Sequence, residues 1–330
     1  SIPSRGKTII NYQLRSVERG VYTFGRLNIY VNSTLNLARR RFTFGKDQEV
    51  KVYPSFIQMK KYAFLAIDNK LTQFGLKKIR RIGHTMEFEQ IKEYVSGDDV
   101  RTINWKATAK RGELMINQFQ DEKSQPVYSI IDASRVMKMP FNGLTLLDYA
   151  INSSLAFSNI ALKKNDKTGL LTFSNTIHNH LAASSKKTHL NTILEVLYSI
   201  STNFLDSDFG RLYAEVKRKI THRSLLLLYT NFEHSSAMQR QLPYLKGLSQ
   251  KHVLVVIFFE NTELEVLITK KAQNTPEIYH KTIAQKIHYE KKLMVKELEK
   301  NGIQTVLTKP EDLTVNTINK YLEIKARGIL

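Results

Sequence analysis

Pro126-Val127-Tyr128-Ser129-Ile130-Ile131 runs directly into Asp132-Ala133-Ser134. The run is apolar at nearly every position and only a strand's length. Unbroken apolar runs of this kind read as strands buried on both faces. The turn that follows carries a carboxylate and, two residues later, a hydroxyl. A tight loop can aim both at one point, and oxygens so placed are what a hard cation takes. A strand buried on both faces also demands helices above and below it.

Working outward, strand and helix patterns alternate from Pro126 to the C-terminus. Strands are predicted over 126–132, 168–174, 223–230, 252–259 and 303–307, and helices over 145–163, 187–200, 207–220, 236–249, 275–300 and 313–326. Leu225-Leu226-Leu227-Leu228 and Val253-Leu254-Val255-Val256-Ile257 repeat the unbroken apolar pattern. The expected architecture of 126–330 is therefore α/β, a mainly parallel, doubly wound sheet between helical layers.

Residues 1–56 have a different rhythm. Short β-prone runs over 8–12, 21–25, 27–31, 40–44 and 50–54 are separated by turn signals, which predicts a small β-sandwich-like domain. Residues 57–125 read as a connector. Its first part, 57–78, sets apolar positions among Lys60, Lys61, Lys70, Lys77 and Lys78 at helical spacing. Such a basic amphipathic helix is either a linker with a solvated face or a helix lying on anionic lipid.

The chain has 330 residues, 42% of them hydrophobic and 24% charged, which is enough for two domains with a large core. It has no cysteine, which excludes a disulfide framework and a thiolate metal site. The formal charge of +20 is uneven: residues 1–81 hold 17 Lys/Arg against 4 Asp/Glu, a net of +13. That excess suits a solvated surface, an anionic membrane surface near the N-terminus, or nucleic acid. Nucleic acid is the least favoured, because the aromatics near Arg26 and Arg39-Arg40-Arg41 alternate as β-domain core residues would. No stretch reaches the ~20 apolar residues that span a bilayer.

The connector ends in Glu93-Tyr94-Val95-Ser96-Gly97-Asp98-Asp99-Val100-Arg101-Thr102-Ile103-Asn104-Trp105-Lys106-Ala107-Thr108-Ala109, which holds the only tryptophan. Gly97 with Asp98 and Asp99 reads as a helix start, and Gly112 as its end. The architectural reading has Trp105 anchoring the seam between domains and Arg101 paired with Asp98 or Asp99. The functional alternative is a partner-binding loop.

The Glu-Tyr-x-x-Gly-Asp-Asp-x-Arg-x-Ile-Asn-Trp-x-Ala-Thr-Ala run resembles the signature of the bacterial domain of unknown function 58 family. Glu18-Arg19-Gly20-Val21-Tyr22 and the closing stretch from Ile318 to Gly328 resemble it too. The resemblance implies a β domain followed by a von Willebrand factor A-like domain. It also implies a membrane tether ahead of this stretch, which would then be a soluble fragment held at the cytoplasmic face of the inner membrane. A MoxR-type AAA+ ATPase is the implied partner.

Asp132-Ala133-Ser134 resembles the opening of the metal-ion-dependent adhesion site of A-type domains, D-x-S-x-S, with Val136 in place of the second serine. The resemblance assigns a second-loop ligand to Thr202 and a third-loop position to Asn231, where the pattern has an aspartate. With Val136 offering no oxygen and Asn231 no charge, the site reads as degenerate, and Mg²⁺ depends strongly on carboxylate charge. No cofactor is expected. Catalytic signatures are missing: there is no H-E-x-x-H, no phosphate-binding G-x-x-x-x-G-K-[ST] and no G-x-S-x-G. His178 and His180 read as loop residues, and Glu87 and Glu89 as a polar strand face. The expected function is a non-enzymatic protein-binding adaptor. The alternative is an adhesion-type domain whose partner completes a Mg²⁺ ion's coordination.

Overall fold

The computed structural model describes residues 9, 11, 13–16, 19–32, 37–54, 86–121, 124–202, 204–269 and 274–329. The basic helix expected over 57–78 lies outside these residues, as does most of the strand expected over 8–12.

Four N-terminal strands follow the β-prone runs: β1 (Gly20–Phe24), β2 (Leu27–Asn32), β3 (Arg39–Phe44) and β4 (Gln48–Val52). They pair antiparallel as two separate ladders, β1 with β4 and β2 with β3. Their side chains are largely exposed, so these ladders enclose no core among the described residues. One structural unit combines residues 1–54 with Leu194–Ile200. Inside it Arg19 donates to the carbonyl of Ile200. Glu195 accepts from Lys51 at 3.0 Å and from the Tyr53 hydroxyl at 2.6 Å.

The second unit holds residues 55–193 and 201–330. It opens with a hairpin of β5 (Met86–Glu93) and β6 (Met115–Asp121), with α1 (Trp105–Arg111) between them. The central sheet then contains β7 (Pro126–Asp132), β10 (Lys167–Phe173), β11 (Ile177–Ser184), β12 (Leu225–Tyr229), β13 (Val253–Phe259) and β14 (Gln304–Thr308). A two-residue pair, β8 (Pro140–Phe141) and β9 (Leu144–Thr145), follows β7. The sheet order is β11-β10-β7-β12-β13-β14, parallel throughout except for the antiparallel edge strand β11.

Helices cover both faces because strand residues alternate between them. On one face Tyr128, Ile130, Leu226, Leu228, Val256 and Phe258 pack against α4 (Phe209–Lys219), α5 (Ser235–Lys251) and α7 (Thr275–Lys300). Phe209, Leu212, Val216, Met238, Leu245, Leu248, Met294 and Leu298 supply the helical side of that core. The other face carries α2 (Leu146–Lys163) and α8 (Leu313–Ala326), whose Phe157 and Tyr321 rings meet edge-on at 5.2 Å. A capping box of Thr145 and Asp148 starts α2. Two further helices, α3 (His189–Leu197) and α6 (Thr262–Thr269), complete the described set.

The doubly wound α/β layer matches the sequence expectation strand for strand, with β11 added at one edge. His178 and His180 lie on that strand instead of in a loop. His178 Nε2 is 2.7 Å from Ser174 Oγ, and the His180 ring stacks on Tyr128.

Candidate functional site

β7 and β12 are parallel neighbours, registered from Leu225 opposite Val127 to Tyr229 opposite Ile131. One residue further, Thr230 and Asp132 stand level at the carboxyl ends of the two strands. Here the sheet order reverses: the chain leaves β7 for β10 on one side and returns to β12 on the other. Open α/β sheets bind their ligands at this switch point, where divergent loops leave a crevice.

Asp132 is fully buried at the centre of the crevice. Its Oδ1 accepts from the Ser134 amide at 2.9 Å. Its Oδ2 accepts from Thr230 Oγ1 and from Ser207 Oγ, each at 2.7 Å. Ser207 Oγ also lies 2.8 Å from Ser134 Oγ. A hydroxyl has one proton, and Ser207 commits it to the carboxylate, so Ser134 is the donor in that contact. Burial raises the Asp132 carboxyl above its ordinary range, against the opposing pull of its hydrogen bonds to Ser134, Thr230 and Ser207.

The surrounding loops are tied by backbone bonds. Ala133 N–H donates to the Phe173 carbonyl at 2.7 Å, Arg135 N–H to Leu205 at 3.1 Å, and Asp208 N–H to Ser174 at 2.9 Å. Asp208 then caps α4 by accepting from Arg211 N–H at 2.9 Å. The Arg135 side chain reaches Asp206 at 3.2 Å and Glu233 at 3.4 Å. On the rim, Phe204 is 74% exposed and Leu205 50% exposed, and the Lys138 ammonium sits 3.6 Å from the Phe204 ring centre.

Two of the four sequence-assigned residues are replaced in the cluster. Asp132 and Ser134 are where the motif puts them. The second-loop hydroxyl is Ser207, not Thr202, because the loop reaches Asp132 only as it turns into α4. The third-loop group is Thr230, not Asn231, because the parallel register sets Thr230 level with Asp132. Asn231 instead accepts from the Lys291 ammonium at 2.7 Å, and the Phe232 carbonyl accepts from the same ammonium at 2.5 Å.

This donor set does not fit a tightly held Mg²⁺. Beside the hydroxyls of Ser134, Ser207 and Thr230 it offers a single carboxylate, and Val136 has no oxygen. The Asn231 oxygen is taken by a protein cation. Among the described residues no group of three His, Cys, Asp or Glu is placed to hold a metal.

Lys291 is only 7% exposed. Burial lowers its ammonium to about 8, and the charge of Glu233 opposes that shift. It lines a cleft of about 180 Å³ together with Met139, Phe141, Asn231, Phe259 and Ile287. No sequence pattern marked Lys291, because one lysine in a 26-residue, lysine-rich helix gives no local signal.

Polar side chains of the signature segment hold its own backbone. Asp98 accepts from Val95 N–H at 3.0 Å and pairs with Lys92 at 3.1 Å, and these two contacts lower its carboxyl. Asp99 accepts from the Arg101 amide, not its guanidinium, at 3.0 Å. Asp99 thereby caps a single 3-10 turn, Val100–Thr102, as the helix-start signal suggested, and α1 that follows is capped by Asn104: its Oδ1 accepts from Ala107 N–H at 3.0 Å, and its Nδ2 donates to Asn117 at 2.8 Å. Gly97, at φ 109°, occupies backbone space that favours glycine. Trp105, the first residue of α1, is 70% exposed.

A doubly wound sheet with an antiparallel edge, and a buried carboxylate ringed by hydroxyls at its switch point, agree with the von Willebrand factor A-like class expected from the sequence. Within that class the chain belongs to the family described as "Protein of unknown function DUF58", whose model matches residues 90–308. It is 25% identical over 125 residues to the uncharacterized protein YeaD of Bacillus subtilis (strain 168), a match covering 37% of this chain and 30% of that protein. Among solved structures, the conserved hypothetical protein BatB of Bacteroides thetaiotaomicron aligns over 62% of this chain and 100% of its own, at 15% identity and TM-score 0.43. The SpRpn10 VWA domain aligns over 59% of this chain and 93% of its own, at 12% identity and TM-score 0.36. No helix among the described residues is long and apolar enough to cross a membrane.

Proposed function

We propose that this chain is a non-enzymatic protein-binding adaptor that uses the carboxyl edge of its A-type sheet without a bridging cation. The observation carrying this reading is the loop before α4. Its inner end is pinned to Asp132 through Ser207, while its outer end holds Phe204 and Leu205 exposed beside Arg135 and Lys138. An exposed aromatic ring next to an arginine is the kind of composition enriched at protein interfaces. The buried carboxylate then acts as a structural rivet for that loop. The family resemblance nominates a MoxR-type AAA+ ATPase as the partner. The basic excess of residues 1–81 supports a tether close to anionic lipid at the cytoplasmic face.

The test is a pulldown of a MoxR-type ATPase from the same genome by the purified chain, with and without EDTA. Retention that survives EDTA and is lost in a Phe204→Ala/Leu205→Ala variant supports the adaptor reading. Retention abolished by EDTA would return the metal-bridged alternative.

A further inference from the structure

A second concavity lies at the opposite, amino-terminal ends of the same strands. It has a volume of about 510 Å³ and is lined by Tyr128, Lys167, Lys219, His222, Arg223 and Ser224, among others. Lys167 opens β10, Lys219 closes α4, and His222 and Arg223 form the turn into β12. Three basic side chains and a histidine thus share one groove, and among the described residues that line it there is no Asp or Glu.

Two nearby carboxylates among the described residues are committed elsewhere. Asp166, beside Lys167 in sequence, is buried and holds Lys325 at 2.6 Å. Glu215 pairs with Arg218 at 2.6 Å. Arg223 donates from Nη2 to the Ile329 carbonyl at 3.0 Å, which anchors the guanidinium without neutralising it. Lys251 adds to the field from just behind, donating to the Ile220 carbonyl at 3.5 Å.

Two neighbouring histidines are lowered mainly by burial, with the groove's cations adding to the shift. Burial, then Lys251 and Arg223, press His252 down to about 4. Burial, then Lys219, lower His180, with Arg218 adding to the effect and Glu215 opposing it. Like charges gathered in a concavity with protein walls focus their potential outward, and the arrangement becomes favourable once an anion enters. An arginine fork flanked by lysine point charges suits the several oxygens of a phosphate group.

We propose that this groove binds a phosphate-bearing anion through Lys167, Lys219 and Arg223. The shared chemistry is a phosphate, whether carried by a lipid headgroup or by a soluble molecule. The site lies at the far end of the sheet from the Asp132 cluster and stands independently of the adaptor reading.

The experiment compares the full chain with a Lys219→Ala/Arg223→Ala variant and a charge-matched Lys110→Ala/Arg111→Ala control on α1. All altered residues lie on the surface, and thermal melts confirm folding. Calorimetry with inorganic pyrophosphate and flotation with phosphatidylglycerol or phosphatidylcholine vesicles supply the two arms. Loss of two charge-assisted contacts should weaken binding by about tenfold or more in the groove variant, with the control close to the parent chain. Loss confined to phosphatidylglycerol vesicles assigns the groove to a lipid headgroup. Loss confined to pyrophosphate assigns it to a soluble phosphate. Equal weakening in both variants, or no binding of either probe by the parent chain, overturns the proposal.

Discussion

Thr230 Oγ1 donates to Asp132 Oδ2 at 2.7 Å across the point where the strand order of the sheet reverses. The contact exists because β12 lies in parallel register with β7, so the residue after Tyr229 meets the residue after Ile131. A threonine there keeps a fully buried carboxylate hydrogen-bonded in a place where an A-type metal site would want charge.

Removing that hydroxyl should be costly. Thr230→Val preserves shape but leaves a buried acceptor short of a donor, and should destabilise by about 1–3 kcal/mol. Asp132→Asn should behave differently. The folded carboxyl titrates above its unfolded value, so its contribution is full at acid pH and is lost as pH rises through the folded pKa. The asparagine variant should therefore lose less stability than the parent between acid and neutral pH. Urea melts across that range check both outcomes.

Lys291 should give the protein an alkaline signature. Its ammonium titrates at about 8 when folded, against 10.5 as the ordinary value. Between those values the unfolded chain binds more protons, so stability rises with pH by about 3 kcal/mol from this group. Lys291→Met should abolish the rise, while near neutral pH it trades a buried charge for two unsatisfied carbonyls at Asn231 and Phe232. A variant that keeps the full alkaline rise would show that another group produces it.

Asp166 should matter most for stability at the other end of the sheet. It is fully buried, accepts from the Gln125 amide at 3.2 Å and the Tyr321 hydroxyl, and pairs with Lys325 at 2.6 Å. These contacts hold α8 to the start of β10. Asp166→Ala breaks a buried ion pair and should cost about 3–5 kcal/mol in denaturant melts, whereas Asp166→Asn should cost less.

The sheet was legible because burial on both faces writes itself as unbroken apolar runs. Five of its six strands and their covering helices follow from stretches such as Leu225–Leu228 and Val253–Ile257. The edge strand β11 was hidden because His178-Asn179-His180 puts three polar residues in succession, which imitates a loop. Asp132 and Ser134 were legible because one tight turn holds both. Their partners were not, since the hydroxyls of Ser207 and Thr230 reach the site through loop anchoring and strand register.

The central claim is that this A-type edge is built to work without a cation. Calorimetric titration of the purified chain with Mg²⁺ and Mn²⁺, beside an Asp132→Ala variant, tests it most directly. The single carboxylate at the site and the Lys291 ammonium on Asn231 predict no saturable binding tighter than about millimolar in either protein. Micromolar affinity in the parent chain that vanishes in Asp132→Ala would contradict the claim.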